Sequence, residues 1–196
     1  MNWTSPPISA GRLIRELKGT TRIVALFAAM VAVLFAACTK QQGAQLTPPA
    51  VVPYVDLARY AGTWYEIASY PNRFQKGCTE TSAVYSLLPD GTIEVLNRCT
   101  RAGKEDAIKG TARVADSITN AKLKVTFFRP FSGDYWIIDL EERYAYAVVS
   151  NPDRSYLWVL CRTPRLEEAT YLRILALLQS KGFDTAKLAK TVQTGP

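Results

Sequence analysis

The sequence predicts an all-β domain, an eight-stranded up-and-down antiparallel β-barrel with one C-terminal α-helix packed on its outside. Three observations carry this. From Gly62 onward the chain is a succession of short runs in which apolar and polar residues alternate, separated by turn residues, with no helical period before Pro164. Consecutive antiparallel runs that close on themselves leave no free sheet edge, and eight of them enclose room for one small ligand. Beyond Pro164 a single amphipathic segment follows, which suits a cover for one barrel wall. A chain of 196 residues is long enough for one well-buried domain and short for two.

The elements are read in order. Arg12 to Arg22 form a basic region, and Ile23–Ala37 is almost wholly apolar but short for a membrane span, so residues 1–37 read as a secretory signal peptide. Leu34-Phe35-Ala36-Ala37-Cys38 has the form of a lipobox, whose cysteine is diacylated with palmitate-class chains and becomes the first mature residue. Ordinary signal-peptidase cleavage after Ala37 is the alternative. Residues 38–53 carry Gln41, Gln42, Gln45 and three prolines with little to bury, and are expected to be a lipidated, flexible tether to a domain spanning 54–196.

Within that domain, strands are expected at Thr63–Ser69 (A), Thr79–Leu88 (B), Thr92–Thr100 (C), Ala107–Ala115 (D), Lys122–Phe127 (E), Tyr135–Leu140 (F), Tyr144–Ser150 (G) and Tyr156–Thr163 (H). Pro164 is expected to open the helix at its first turn. Leu166, Ala169, Leu172 (or Ile174), Leu175 and Leu178 would form its apolar face, with Gly182 ending it. Ala186–Val192 reads as a short final strand.

Composition removes several functions. The net charge is +7. Residues 1–37 hold +3 of it, from Arg12, Arg15, Lys18 and Arg22 against Glu16. The modest remainder shows no basic stripe with interleaved aromatics, so nucleic acid is not expected as a partner. The chain contains 0 histidines, which excludes Ser-His-Asp and Cys-His nucleophilic machinery, histidine zinc sites and a histidine haem ligand. No glycine-rich phosphate loop occurs. Catalytic residues, a metal site and a cofactor are therefore not expected.

Of the cysteines, Cys78 and Cys99 flank the B–C hairpin almost symmetrically, and in an oxidising compartment they are expected to form a disulfide. Strict alternation about a turn centred on Asp90 would put them on opposite faces, so strand B should carry a bulge. Cys161 neighbours inward Arg162 and is expected to point outward, as a packing residue under the helix.

Tyr60-Ala61-Gly62-Thr63-Trp64 opens the first strand, and Tyr156-Leu157-Trp158-Val159-Leu160-Cys161-Arg162 forms the last. The Gly-X-Trp motif, the arginine on the last strand and a helical turn at Asp56–Tyr60 together resemble the bacterial lipocalins, the outer-membrane lipoprotein branch related to apolipoprotein D. The resemblance spans roughly residues 52–194. It implies that Arg162 packs across Trp64 and closes one barrel end, a structural role for Gly62, Trp64 and Arg162; a guanidinium over an indole contributes about 0.5–2 kcal/mol. It also implies fatty acids or lysophospholipids as ligands. With Thr39 rather than aspartate after Cys38, it favours an outer-membrane lipoprotein whose domain faces the periplasm.

Alternation counted from Trp64 and Arg162 predicts a ligand-binding lining of Tyr85, Val95, Asn97, Val125, Phe127, Tyr135, Ile137, Val149, Tyr156 and Trp158. The A–B, C–D, E–F and G–H loops lie at the end opposite the tryptophan. There Arg73, Lys76, Arg101, Lys104, Arg129 and Arg154 face Glu105, Asp106, Asp134 and Asp153, and Tyr70 and Phe74 suit an aromatic lid. Arg73, Phe74 and Arg129 are the expected mouth residues, cations that would meet a phosphate or carboxylate head while the acyl tail lies inside. The expected function is a membrane-tethered carrier or scavenger of amphipathic lipids in the cell envelope. The alternatives are an envelope enzyme acting on a lipid-like substrate through Cys161 or a tyrosine, and a protein whose helix docks a partner. The pattern permits a homodimer.

Overall fold

The computed structural model describes residues 47–194; the expected signal peptide, Cys38 and most of the tether lie outside them. Eight strands run up and down: β1 (Gly62–Ser69), β2 (Cys78–Leu87), β3 (Ile93–Arg101), β4 (Lys104–Val114), β5 (Lys122–Phe128), β6 (Phe131–Leu140), β7 (Tyr146–Ser150) and β8 (Leu157–Cys161). Each pairs antiparallel with its neighbour, and β1 pairs with both β8 and β2, which closes the barrel. The fold is the one expected. Alternation drives it: the inward set (Trp64, Ala83, Tyr85, Val95, Ala112, Leu123, Ile137, Ala147, Val149, Leu160) forms one buried core, and the outward set of β1, β7 and β8 forms a second beneath the helix.

Several boundaries differ from expectation. β6 begins at Phe131 rather than Tyr135, because the E–F connection is only Arg129-Pro130 and Phe128 pairs directly with Phe131. β4 begins earlier, at Lys104, for the same reason, while β7 and β8 are shorter than read. Pro164 does not open the helix. Thr163 Oγ1 donates to Arg165 O at 2.7 Å, and α2 (Glu168–Ser180) starts after this turn. The chain leaves β8 at the barrel end and must swing outward before a helix can lie along the wall. The face of α2 also differs. Ile174 and Leu178 are buried as expected and Tyr171 joins them, whereas Leu172 is 56% exposed and Ala169 faces solvent. Gly182, at φ +78°, ends the helix region as expected.

The final strand is shorter than read. Thr185–Lys187 make a 3-10 turn and only Ala189–Lys190 (β9) pair with β1. The chain then continues extended, Thr191 N–H bonding Ile67 O at 2.9 Å and Val192 O accepting from Glu80 N–H at 2.7 Å. It thereby bridges β1 and β2 where they diverge. At the other extreme, Thr47 lies beside the G–H loop, its carbonyl accepting from Arg154 Nη1 at 2.8 Å. From there the chain descends to the closed end, where Val55 N–H bonds Thr119 O at 2.8 Å.

Candidate binding site: a plugged barrel with a latched mouth

The closed end is built on α1 (Leu57–Tyr60), whose N-terminal N–H groups on Ala58 and Arg59 donate to the Asp56 carboxylate at 2.9 and 3.2 Å. Trp64 is fully buried and donates through Nε1 to Tyr60 O at 2.8 Å. The Arg162 guanidinium lies 3.8 Å from the Trp64 ring centroid and donates to the carbonyls of Arg59, Tyr60, Thr63 and Tyr144. Gly62 sits at φ +96°, and a Cβ there would lie 3.3 Å from Arg162 Nη1, so both backbone and space call for glycine. The three residues thus occupy the positions predicted for them.

Above this plug the predicted lining is brought together. Register places Val95 beside Tyr85, Asn97 beside Ala83, Val125 beside Ala112, Tyr135 beside Leu123, Val149 beside Ile137 and Trp158 beside Val149, all on the inner face. Phe127 lies across Gly110, where a Cβ would come within 2.6 Å of its ring. Tyr156 stacks on Trp158 with centroids 5.5 Å apart and planes 2° from parallel. Ile137 and Val149 are fully buried and belong to the packed floor, whereas Asn97, Val125, Phe127, Tyr135, Tyr156 and Trp158 are only partly buried and face the lumen. Tyr60, Tyr85 and Tyr135 meet at the floor, their hydroxyls 2.7 and 3.0 Å apart in sequence. Burial raises all three phenols, Tyr85 to about 12.

The mouth departs from expectation. The aromatic lid is not formed: Tyr70 is buried outside the barrel, its hydroxyl donating to Asp184 O at 2.9 Å, and Phe74 is 59% exposed under the Arg73 guanidinium. A bulge between Glu66 and Ala68 reverses the alternation of β1, turning Ser69 inward and Tyr70 outward. The A–B loop reaches inward with Gln75 instead. Its carbonyl oxygen accepts from Trp158 Nε1 at 3.0 Å, and its amide donates to Glu66. Glu66, 5% exposed, also accepts from Ser69 Oγ at 2.9 Å and Thr191 Oγ1 at 2.5 Å. These residues border a cleft of about 550 Å³ beneath the loop, where the C-terminal segment enters. Glu66, Ser69, Gln75 and Thr191 were not anticipated. One signal was present: parity from Trp64 puts Glu66 inside.

Not every rim charge is available. Arg101 pairs with Asp106 at 3.0 Å and holds the carbonyls of Phe74 and Lys76, Lys124 pairs with Asp134 at 2.7 Å, and Arg154 is turned onto the Phe183 ring on the outer wall. Arg73, Lys76, Lys104 and Arg129 form no ion pair among the described residues. Cys78 and Cys99 form the expected disulfide, Cα atoms 5.5 Å apart, and β2 carries the expected bulge between Thr79 and Ser82. Cys161 is buried and points out of the barrel, its sulfur 3.4 Å from Thr163 Oγ1 in the turn before α2.

A glycine, a tryptophan and an arginine closing one end of an eight-stranded barrel agree with the family comparison, in which a lipocalin-like domain matches residues 55–193. The chain belongs to the lipocalins. It is 44% identical to temperature-induced lipocalin-1 of Arabidopsis thaliana over 153 residues, which covers 74% of this chain and 82% of that protein. It is 40% identical to the outer membrane lipoprotein Blc of Escherichia coli K12 over 173 residues, 86% of this chain and 95% of that protein. Apolipoprotein D of Mus musculus is 33% identical over 180 residues, covering 86% and 94%. Among solved structures, insecticyanin of Manduca sexta shares the fold, with a TM-score of 0.61 at 23% identity over 74% of this chain and 85% of that one. This lipocalin is closed at one end by Gly62, Trp64 and Arg162 and carries the Glu66, Ser69, Gln75 and Thr191 network at the other.

Proposed function

We propose that this lipocalin is a membrane-tethered lipid-binding protein of the cell envelope that carries or scavenges fatty acids and lysophospholipids. The observation that carries the reading is the inner face of the barrel. Partly buried aromatic and aliphatic side chains (Val125, Phe127, Tyr135, Tyr156, Trp158) face inward above a sealed floor, with Arg73, Lys76 and Arg129 exposed at the rim. An acyl chain would fill the lumen and an anionic head would meet the cations. Relatives named outer membrane lipoproteins support acylation at Cys38 and placement at the outer membrane; the barrel would then face the periplasm. Thr47 sits at a mouth-end loop, and the nine residues from Cys38 to Thr47 reach at most about 30 Å when extended, which would keep the mouth near the bilayer.

Binding is favoured over catalysis on geometry. Cys161 faces away from the lumen, and burial holds the floor tyrosines as neutral phenols rather than bases. Native mass spectrometry of protein extracted without detergent tests the reading. Co-purified fatty acid or lysophospholipid at one per barrel is expected, and an empty barrel that takes up neither on titration would overturn it. Cys38→Ser should leave a soluble protein or an uncleaved precursor; membrane retention of a mature-sized variant would remove the tether from the proposal.

A further inference from the structure

Three phenols close the floor of the lumen, Tyr60 from α1, Tyr85 from β2 and Tyr135 from β6. Tyr85 donates to Tyr135 at 3.0 Å, and the Tyr60 and Tyr135 oxygens lie 2.7 Å apart with either as donor. Each phenol has a single proton to give. Two contacts consume two protons, and three are present. If Tyr60 donates to Tyr135, the Tyr135 proton is left over; if Tyr135 donates, the Tyr60 proton is. Among the described residues no other acceptor bonds these hydroxyls. Tyr60 and Tyr85 are 2% and 5% exposed, and Tyr135 borders the lumen, so the spare proton lies in a nearly apolar enclosure.

We propose that this spare phenolic proton selects ligands whose leading, buried end carries a neutral oxygen acceptor: a ketone, an ester carbonyl or a hydroxyl. A plain methyl terminus pressed against the floor leaves the donor unsatisfied, while a carbonyl oxygen accepts it. A carboxylate at the floor would exchange its full hydration for one neutral donor. The nearby cation, Arg162, is committed to four carbonyls beneath Trp64. An anionic head therefore belongs at the rim, and the preferred ligand is polar at both ends. The inference rests on the lipid-binding reading and names the ligand chemistry of that same lumen.

The test compares palmitic acid with its (ω−1)-oxo analogue on delipidated full-length protein, by titration calorimetry. The oxo acid is expected to bind about tenfold tighter, the cost of one unsatisfied buried donor. Equal affinities, or tighter binding of palmitic acid, would overturn the selection while leaving the lipid carrier intact; binding of neither acid would sink the carrier reading itself.

The variants have a signature of their own. Tyr60→Phe and Tyr85→Phe each leave two phenols, one bond and one spare proton, so each should keep the preference. The Tyr60→Phe/Tyr85→Phe/Tyr135→Phe triple variant has none and should lose it. A single variant that abolishes the preference, or a folded triple variant that keeps it, refutes the proton count. If the triple variant does not fold, the infrared carbonyl band of ¹³C-labelled oxo acid decides on the wild-type protein. It should move to lower wavenumber on binding, relative to an alkane solvent. A band that stays at its alkane position overturns the proposal.

Discussion

The two ends of this barrel are held by different kinds of polar contact. At the closed end Arg162 binds four backbone carbonyls and an indole face, drawn from α1, β1 and the turn before β7. At the mouth Glu66 is held by side chains, from Ser69, Gln75 and Thr191, the last 125 residues away. Backbone partners cannot be substituted away, whereas each side chain at the mouth can change independently. The closed end is therefore held by contacts that no substitution of a partner residue removes, and the mouth by contacts that single substitutions can remove.

The steepest test of the sealed floor is alkaline pH. Desolvation raises Tyr60, Tyr85 and Tyr135 above the ordinary phenol value, Tyr85 to about 12. From pH 10 upward the unfolded chain releases protons that the native floor retains, so stability falls as pH rises. The loss should reach up to about 4 kcal/mol per pH unit for three phenols, and it is absent below pH 10. Ultraviolet phenolate absorbance followed beside far-UV circular dichroism checks this. These tyrosines should ionise only as the barrel unfolds; ionisation within a folded barrel would mean that water reaches the floor.

Arg162→Ala comes next. It removes the cation from Trp64 and leaves buried carbonyls without a donor, at an expected cost of about 3–5 kcal/mol. The relative affinities of whatever remains folded for different ligands should hardly change. Unchanged melting temperature with altered ligand preference would make Arg162 a ligand contact instead of a plug. Glu66→Gln should cost less, about 1–3 kcal/mol, because an amide replaces a full acceptor facing three donors. Its distinguishing mark is local: amide exchange should rise in residues 70–78 and 189–193 and stay slow in α1. Uniform acceleration across the barrel would erase the difference between the two ends.

How much of this could be read from the chain follows the same division. Gly62, Trp64 and Arg162 were legible through the Gly-X-Trp motif and last-strand arginine of the lipocalin resemblance, and the φ of Gly62 and the guanidinium–indole approach give the physical reason for those residue types. Most of the lining was legible because alternation runs unbroken along β3, β4 and β8 and holds on either side of the bulges in β2 and β6. Tyr70 was misread because the bulge at Ile67 reverses the parity that Trp64 had set, and nothing local announces an inserted residue. Glu66 was missed although parity pointed inward, since a carboxylate makes sense there only once Gln75 and Thr191 are known to arrive. Pro164 misled because its helix-opening geometry is a local preference, overruled by the need to turn off the barrel end.

The smallest expected effect lies on the rim, and it sharpens the functional side of the comparison. Arg73 and Arg129 are exposed and form no ion pair among the described residues, unlike Arg101, which Asp106 holds at 3.0 Å. Exposed cations contribute little to folding, so the Arg73→Glu/Arg129→Glu variant should melt within about 0.5 kcal/mol of the parent. Its effect should appear in binding. An anionic lipid head at the mouth would lose two attractive charges and meet two repulsive ones, lowering affinity about five- to tenfold at low ionic strength. Salt screens exposed charges over about 8–10 Å, so the deficit should shrink as sodium chloride is raised. A neutral lipid alcohol of the same chain length should bind both proteins alike. If the acid and the alcohol weaken together, the rim acts on mouth opening and not on the head group; if neither weakens, binding belongs to the lumen alone.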